Sequence, residues 1–135
     1  VSASSALQGA IYDALQADVP LAALVDDRVY DVPPEGATYP YVSFGPSTFV
    51  TERRDCFKSR TETIQVDVWT ANQMRRQPCK AIMDAVCDVL DQGNLSLADP
   101  YGLARMDLIF ARIMDDPNGI ARHGILQFSC EVTGG

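Results

Sequence analysis

The stretch between Met106 and Cys130 constrains the fold most. Apolar residues alternate on the way in, at Met106, Leu108 and Phe110, and again on the way out, at Leu126, Phe128 and Cys130. Between the two runs stands Asp116-Pro117-Asn118-Gly119. Pro117 presets φ for the first corner of a tight turn, and Gly119 supplies positive φ for the second. Two alternating runs joined by such a turn read as a long antiparallel hairpin, here expected over 103–115 and 120–133. A hairpin alone says nothing about function.

The strictest alternation lies at 61–70. Ile64, Val66 and Val68 point to one side of that strand, and Thr63, Gln65, Asp67 and Trp69 to the other. A further strand is expected from Tyr41 to about residue 50. Pro46 lies inside it and cannot donate to a central ladder, so an edge or a bulge is expected there. Arg28-Val29-Tyr30 and Leu95-Ser96-Leu97 read as short strands. Residues 31–40, with Pro33, Pro34, Gly36 and Pro40, read as a loop, and Asp99-Pro100-Tyr101-Gly102 as a turn. Residues 51–60 also read as a loop. They hold four basic and two acidic residues, the most charged stretch of the chain.

Two helices complete the pattern. Leu7, Ala10, Ile11, Ala14 and Leu15 follow helical spacing over 4–17, with Ser4 or Ser5 available as the cap. Pro20 opens a short helical turn through Leu24. A second helix is expected over roughly 75–91, with Ile82, Met83, Val86, Val89 and Leu90 as its apolar stripe. Pro78 is tolerated only in its first turn, and Gly93-Asn94 ends it.

Each helix has one apolar face, so both are expected to cover the same side of the sheet. The predicted class is α+β: a single antiparallel β-sheet with two amphipathic helices packed on one face, in one domain spanning 1–135. No internal repeat or linker is visible. The other sheet face is expected to carry Gln65, Asp67, Arg105, Asp107, Arg122, Gln127 and Glu131, mixed with Ile109, Ile113 and Ile125. That mixture is too polar for a core and too apolar for a fully wet surface. It suits contact with a neighbouring subunit.

At 135 residues, 47% hydrophobic and 21% charged, the chain is long enough to hold a core without staples. No apolar run approaches the ~20 residues that span a bilayer, and no secretory leader is apparent, so no membrane partner is expected. The net charge of −7 argues against general nucleic-acid binding, which needs a basic footprint. It suits a protein past which DNA moves without sticking.

Candidate chemistry is sparse. Cys56, Cys79, Cys87 and Cys130 form no CxxC pair and no zinc spacing. Cys79 and Cys87 lie about 12 Å apart along one helix, too far for a disulfide. The thiols read as reduced, three packed in the core and Cys56 in a loop. His123 is the single histidine. Arg122 precedes it, and no carboxylate adjoins it in sequence. A Cys-His pair with Cys56 or Cys130 would need a third orienting group. The aspartates at 13, 18, 26, 27, 115 and 116 read as caps and turn formers, and no phosphate loop is present. No catalytic residue, metal or cofactor is expected.

Two charged features remain. Arg75, Arg76 and Lys80 sit at the start of the second helix and Asp84, Asp88 and Asp91 at its end, opposing the helix dipole. The aspartates share one face, which is either a solvated surface, a subunit contact or a channel lining. Arg53, Arg54, Phe57, Lys58 and Arg60 form a basic segment with one aromatic anchor, suited to an acidic partner.

The chain also resembles a known family. Asp116-Pro117-Asn118-Gly119 followed by Arg122-His123-Gly124 and an alternating strand is similar to the C-terminal hairpin of the tail-completion, or tail-terminator, proteins. These belong to long-tailed phages and phage-derived gene transfer agents. Leu21-Ala22-Ala23-Leu24-Val25, Arg28-Val29-Tyr30-Asp31 and Tyr39-Pro40-Tyr41-Val42-Ser43-Phe44-Gly45 resemble the opening of that family. Gln65-Val66-Asp67-Val68-Trp69-Thr70 resembles its central strand. The pieces run in the same order over most of the chain.

The resemblance implies a virion structural protein and no catalysis. It implies a homo-oligomeric ring, generally of six subunits, seated on the tail tube protein. Such a ring stops tube polymerisation and offers the surface that joins the head-tail connector or stopper, while DNA passes without specific binding. In that setting Arg53, Arg54, Phe57, Lys58 and Arg60 are expected at a partner interface. Asp84, Asp88, Asp91, Arg105, Asp107 and Arg122 are expected at a subunit contact or the channel. The alternatives are another neck component, such as a stopper or head-closure protein, and a small Cys/His-dependent enzyme or ligand-binding domain.

Overall fold

The computed structural model describes residues 2–54, 57–71, 75–115 and 121–134, without the side chains of Arg53, Arg54 and Phe57. The elements run α1 (Ala3–Ala17), α2 (Val19–Val25), β1 (Val29–Tyr30), β2 (Tyr41–Arg54), β3 (Phe57–Ala71), α3 (Gln77–Leu90), β4 (Gly102–Asp115) and β5 (Ala121–Thr133). The strands form one sheet in the order β1-β2-β3-β5-β4. All neighbours are antiparallel except β1, which lies parallel to β2. The expected α+β class holds, with that one parallel edge added. The turn at 116–120 and Cys56 lie outside the described residues.

Alternation sets the two faces. Ile64, Val66 and Val68 of β3 and Leu126, Phe128, Cys130 and Val132 of β5 are buried in one cluster with Leu7, Ile11 and Leu15 of α1 and Ile82, Val86 and Leu90 of α3. Both long helices therefore cover the same sheet face. Gly124 permits the close approach of α3: a Cβ there would stand 2.7 Å from Met83 Sδ and 3.0 Å from Cys79 Sγ.

The helix ends depart from expectation in detail. Ser2, not Ser4 or Ser5, caps α1, accepting from the Ser5 N–H at 3.1 Å. Ser4 instead donates to Glu62 at 2.7 Å. Asp18 caps α2 as a turn-forming aspartate should, accepting from Leu21 N–H. α3 stops at Leu90. Gln92, rather than Gly93, takes the left-handed conformation, with φ of 60°. Its N–H donates to Met106 O at 2.8 Å, so contact with β4 holds a residue where glycine is usual.

Two strand expectations change, and the one at Pro46 holds. Residues 51–60 are not a loop: β2 continues to Arg54, β3 begins at Phe57, and Arg53 faces Lys58 across the ladder. The charged stretch is the far end of a long hairpin. Leu95-Ser96-Leu97 is not a strand, although Leu95 and Leu97 pack on the core. The Pro46 irregularity is a bulge, with the register shifting between Phe44 and Ser47.

β4 shifts register twice, between Leu103 and Arg105 and between Leu108 and Phe110, and the second of these reverses its facing beyond Leu108. It places Ile113 on the covered side, opposite Gly124, and leaves Ile109 exposed. Arg122 also falls on the covered side, in the row of Gly124, Leu126 and Phe128. Ile113 therefore does not belong to the open face where simple alternation placed it, and Arg122, also expected on that face, follows the unbroken alternation of Leu126 and Phe128 to the covered side.

Candidate interaction surfaces

The open face of the sheet is not a plain wet surface. His123 of β5 lies opposite Trp69 of β3, and their rings stack at 3.8 Å with 11° between planes. His123 Nε2 lies 2.7 Å from Asp67 Oδ1, and Gln65 Nε2 donates to the same oxygen at 2.9 Å. Gln127 donates to Gln65, and Trp69 Nε1 donates to Ser43 Oγ. The aromatic row extends through Tyr41 to Tyr30 and Tyr39. Burial and the two neighbouring phenols raise the Tyr41 pKa.

This lattice buries Asp67 and Ser43 although no helix covers them. A buried carboxylate needs such partners. Gly45, at the β2 bulge, makes room: a Cβ there would stand 2.7 Å from Asp67 Oδ2. The sequence offered no carboxylate near His123, and the fold brings one from 56 residues away. Arg122, its neighbour, points to the opposite face.

Arg122 instead joins a cluster at the end of the sheet. Its guanidinium pairs with Asp115, which also accepts from Arg76 at 3.3 Å. Arg122 Nε has no partner within this cluster. The side chain is only 10% exposed, so its first role is internal. On the outer part of β4, Arg105 pairs with Asp107 at 2.9 Å, and Gln92 donates to Asp107.

The acidic stripe of α3 separates into two parts. Asp84 and Asp88 are exposed on the helix. Asp91 is the C-cap, with extended backbone, and accepts from Leu108 N–H at 2.9 Å. β4 is an edge strand, so an N–H on its outer side has no strand to donate to. Asp91 therefore ties α3 to β4 and is not a third member of the helical stripe.

The hairpin arm of β2 and β3 carries the basic segment. Lys58 is exposed. Arg60 is held within the chain, 4.1 Å above the Phe49 ring, and donates to Ser4 Oγ. Phe49 and Val50 are exposed on the arm at 50% and 68%. Sequence reading missed both, because it ended the strand near Val50 and so gave no sign that these residues lie on an arm continuing to Arg54. It also missed Glu62, buried among apolar residues of the covered face and satisfied by Ser4.

The described thiols are free, with Cys79 and Cys130 buried and Cys87 half-buried. Burial, assisted by Asp84, Asp91 and Asp88, pushes Cys87 up to about 11. Burial, assisted by Glu62 and Asp107, pushes Cys130 up to about 12. Burial raises Cys79 as well, against the opposing influence of Thr70, Arg122 and Gly124. A protonated buried thiol is inert. Among the described residues no group of His, Cys, Asp and Glu is arranged to hold a metal ion, and no helix is long and apolar enough to cross a membrane.

The fold has a counterpart in a solved particle. The chain is similar to one from the structure described as the virion of native gene transfer agent (GTA) particle, with a TM-score of 0.90 and 30% identity over 98% of both chains. No curated protein matches it. The family model for tail completion protein gp17 matches residues 9–133. That span runs from α1 to the end of β5, and the chain belongs to the tail completion protein gp17 family.

Proposed function

We propose that this chain is a tail terminator: a closed ring, generally of six copies, on the end of a phage-like tail tube. There it stops tube polymerisation and presents the surface that the head connector or stopper engages. The observation that carries this reading is the end-to-end likeness to a chain of a gene transfer agent virion, at 30% identity and a TM-score of 0.90. The family match supports a structural rather than catalytic role. The raised thiols, which stay protonated at neutral pH, agree with it.

The β2–β3 arm is the proposed contact with tube or neck, through Arg53, Arg54, Phe57 and Lys58. Exposed Phe49 and Val50 add apolar area to it. Six copies bring six times −7 formal charges, so DNA passes a repulsive wall without being trapped. Imaging of assembled tails tests the reading. Six-fold density for this chain at the head-proximal end of the tube is expected, and tubes should overgrow when it is missing. A single copy at the neck, or tubes of normal length without it, would refute the terminator role.

A further inference from the structure

The geometry points to the two edges of the sheet as the matching halves of one contact between copies of this chain: the acidic loop after β1 seats in the groove between α3 and β4 of the next copy. This rests on the ring reading and adds the surfaces that make the ring.

A ring needs head-to-tail contacts, in which one patch meets a different patch on its neighbour. β1 and β4 are the opposite edges of one sheet. They also stand at the same height along it. Tyr30 pairs with Ser43, Ser43 with Asp67, Asp67 with Ile125 and Ile125 with Arg112, so one row runs from edge to edge. Stacking copies side by side brings the end of β1 in one to Arg112 in the next.

The two ends of that row are complementary. Directly after Tyr30 come Asp31, Val32 and Glu35, all exposed, with Val32 at 80%. An apolar knob thus stands between two carboxylates. At the other end, β4 pairs with no strand but β5; Asp91 and Gln92 occupy its outer edge at Leu108 and Met106, and Arg112 lies beyond that contact. Beside that edge is a groove of about 400 Å³ between α3 and β4. Met83, Ala111 and Ile113 supply apolar wall, and Arg76, Lys80 and Arg112 stand around it. Arg76 is engaged by Asp115, whereas Lys80 and Arg112 are exposed. Asp84 also lines the groove, one turn from Lys80, which limits the site to a short acidic segment. Val32 fits the apolar wall while Asp31 and Glu35 meet Arg112 and Lys80. Opposite charges at such a contact fix register and partner choice.

A charge-exchange experiment decides it. One variant carries Asp31→Lys and Glu35→Lys; the other carries Lys80→Glu and Arg112→Glu. Each has two like-charged edges and should not close on itself. Its mass should fall from that of the parental ring to the 14.7 kDa of one chain. Mixed in equal amounts, the two variants alternate, every junction is again opposite in sign, and rings should return at half or more of the parental yield. Recovery also shows that both variants are folded. If either variant forms rings alone, or if the mixture does not, the edge contact is wrong while the ring stands. If the parent makes no ring, either in solution or on tube ends, the terminator reading itself fails.

Discussion

His123 Nε2 and Asp67 Oδ1 lie 2.7 Å apart on the uncovered face of the sheet, and the imidazole also stacks on Trp69. The pair closes a lattice over a carboxylate that no helix shields. Replacing His123 with Ala should leave Asp67 with Gln65 alone and cost about 1–3 kcal/mol. His123→Asn, which keeps a polar group near the carboxylate, should cost less. Denaturant unfolding of both variants checks the order. Equal stability of His123→Ala and parent would show that the lattice adds nothing to the fold.

The α3 aspartates should not behave alike. Asp91 accepts from the Leu108 N–H of the edge strand β4, so Asp91→Ala should destabilise the fold by about 1–3 kcal/mol. Asp84→Asn and Asp88→Asn alter exposed groups and should stay within about 0.5 kcal/mol. Thermal melts of the three single variants separate a structural aspartate from two surface ones. A neutral Asp91→Ala would undo that distinction.

Gly124 is required by packing. A side chain there meets Met83 and Cys79 of α3. Gly124→Val should destabilise by about 1–3 kcal/mol through overpacking. Met83→Ala in the same chain should return part of that loss by vacating the contacted atoms. No recovery in the double variant would mean that the strain arises elsewhere.

Alkaline stability follows from the thiols. The folded state holds Cys87 near 11 and Cys130 near 12, above the ordinary value of 9.0. Above pH 9 the unfolded chain ionises these thiols while the folded chain does not, so stability falls as pH rises from about 9 toward 12. At neutral pH both forms are protonated and the effect vanishes. Replacing Cys87 and Cys130 with Ala should flatten the alkaline limb of a stability-against-pH curve. An unchanged slope would place its origin in other groups.

The basic arm should be dispensable for folding. Arg53→Glu with Arg54→Glu should change stability by under about 0.5 kcal/mol and still block tail completion. Lys58→Glu should do the same to a smaller degree. Tails of normal length that join heads in the double variant would remove the arm from the interface.

Much of the architecture was legible because periodicity is local. Ile64, Val66 and Val68 announced their strand and its buried side, and Leu7, Ile11 and Leu15 did so for α1. Pro46 announced its bulge because a missing N–H cannot be hidden in a ladder. The charged stretch at 51–60 misled for an equally local reason. Its charge reads as loop, yet its backbone is paired, since a hairpin arm beyond the helices has no apolar face to advertise.

The chain order by itself determined two amphipathic helices, a long C-terminal hairpin and a likeness to tail-completion proteins that the family match then bore out. Tertiary structure alone decided where single side chains went. The bulge between Leu108 and Phe110 moved Ile113 to the covered face. The strand register carried Asp67 across 56 residues to His123 and aligned Tyr30 with Arg112 at opposite edges of the sheet. Side-chain facing depends on a count of residues between paired strands. One inserted residue reverses it, and that count is fixed only when the strands meet.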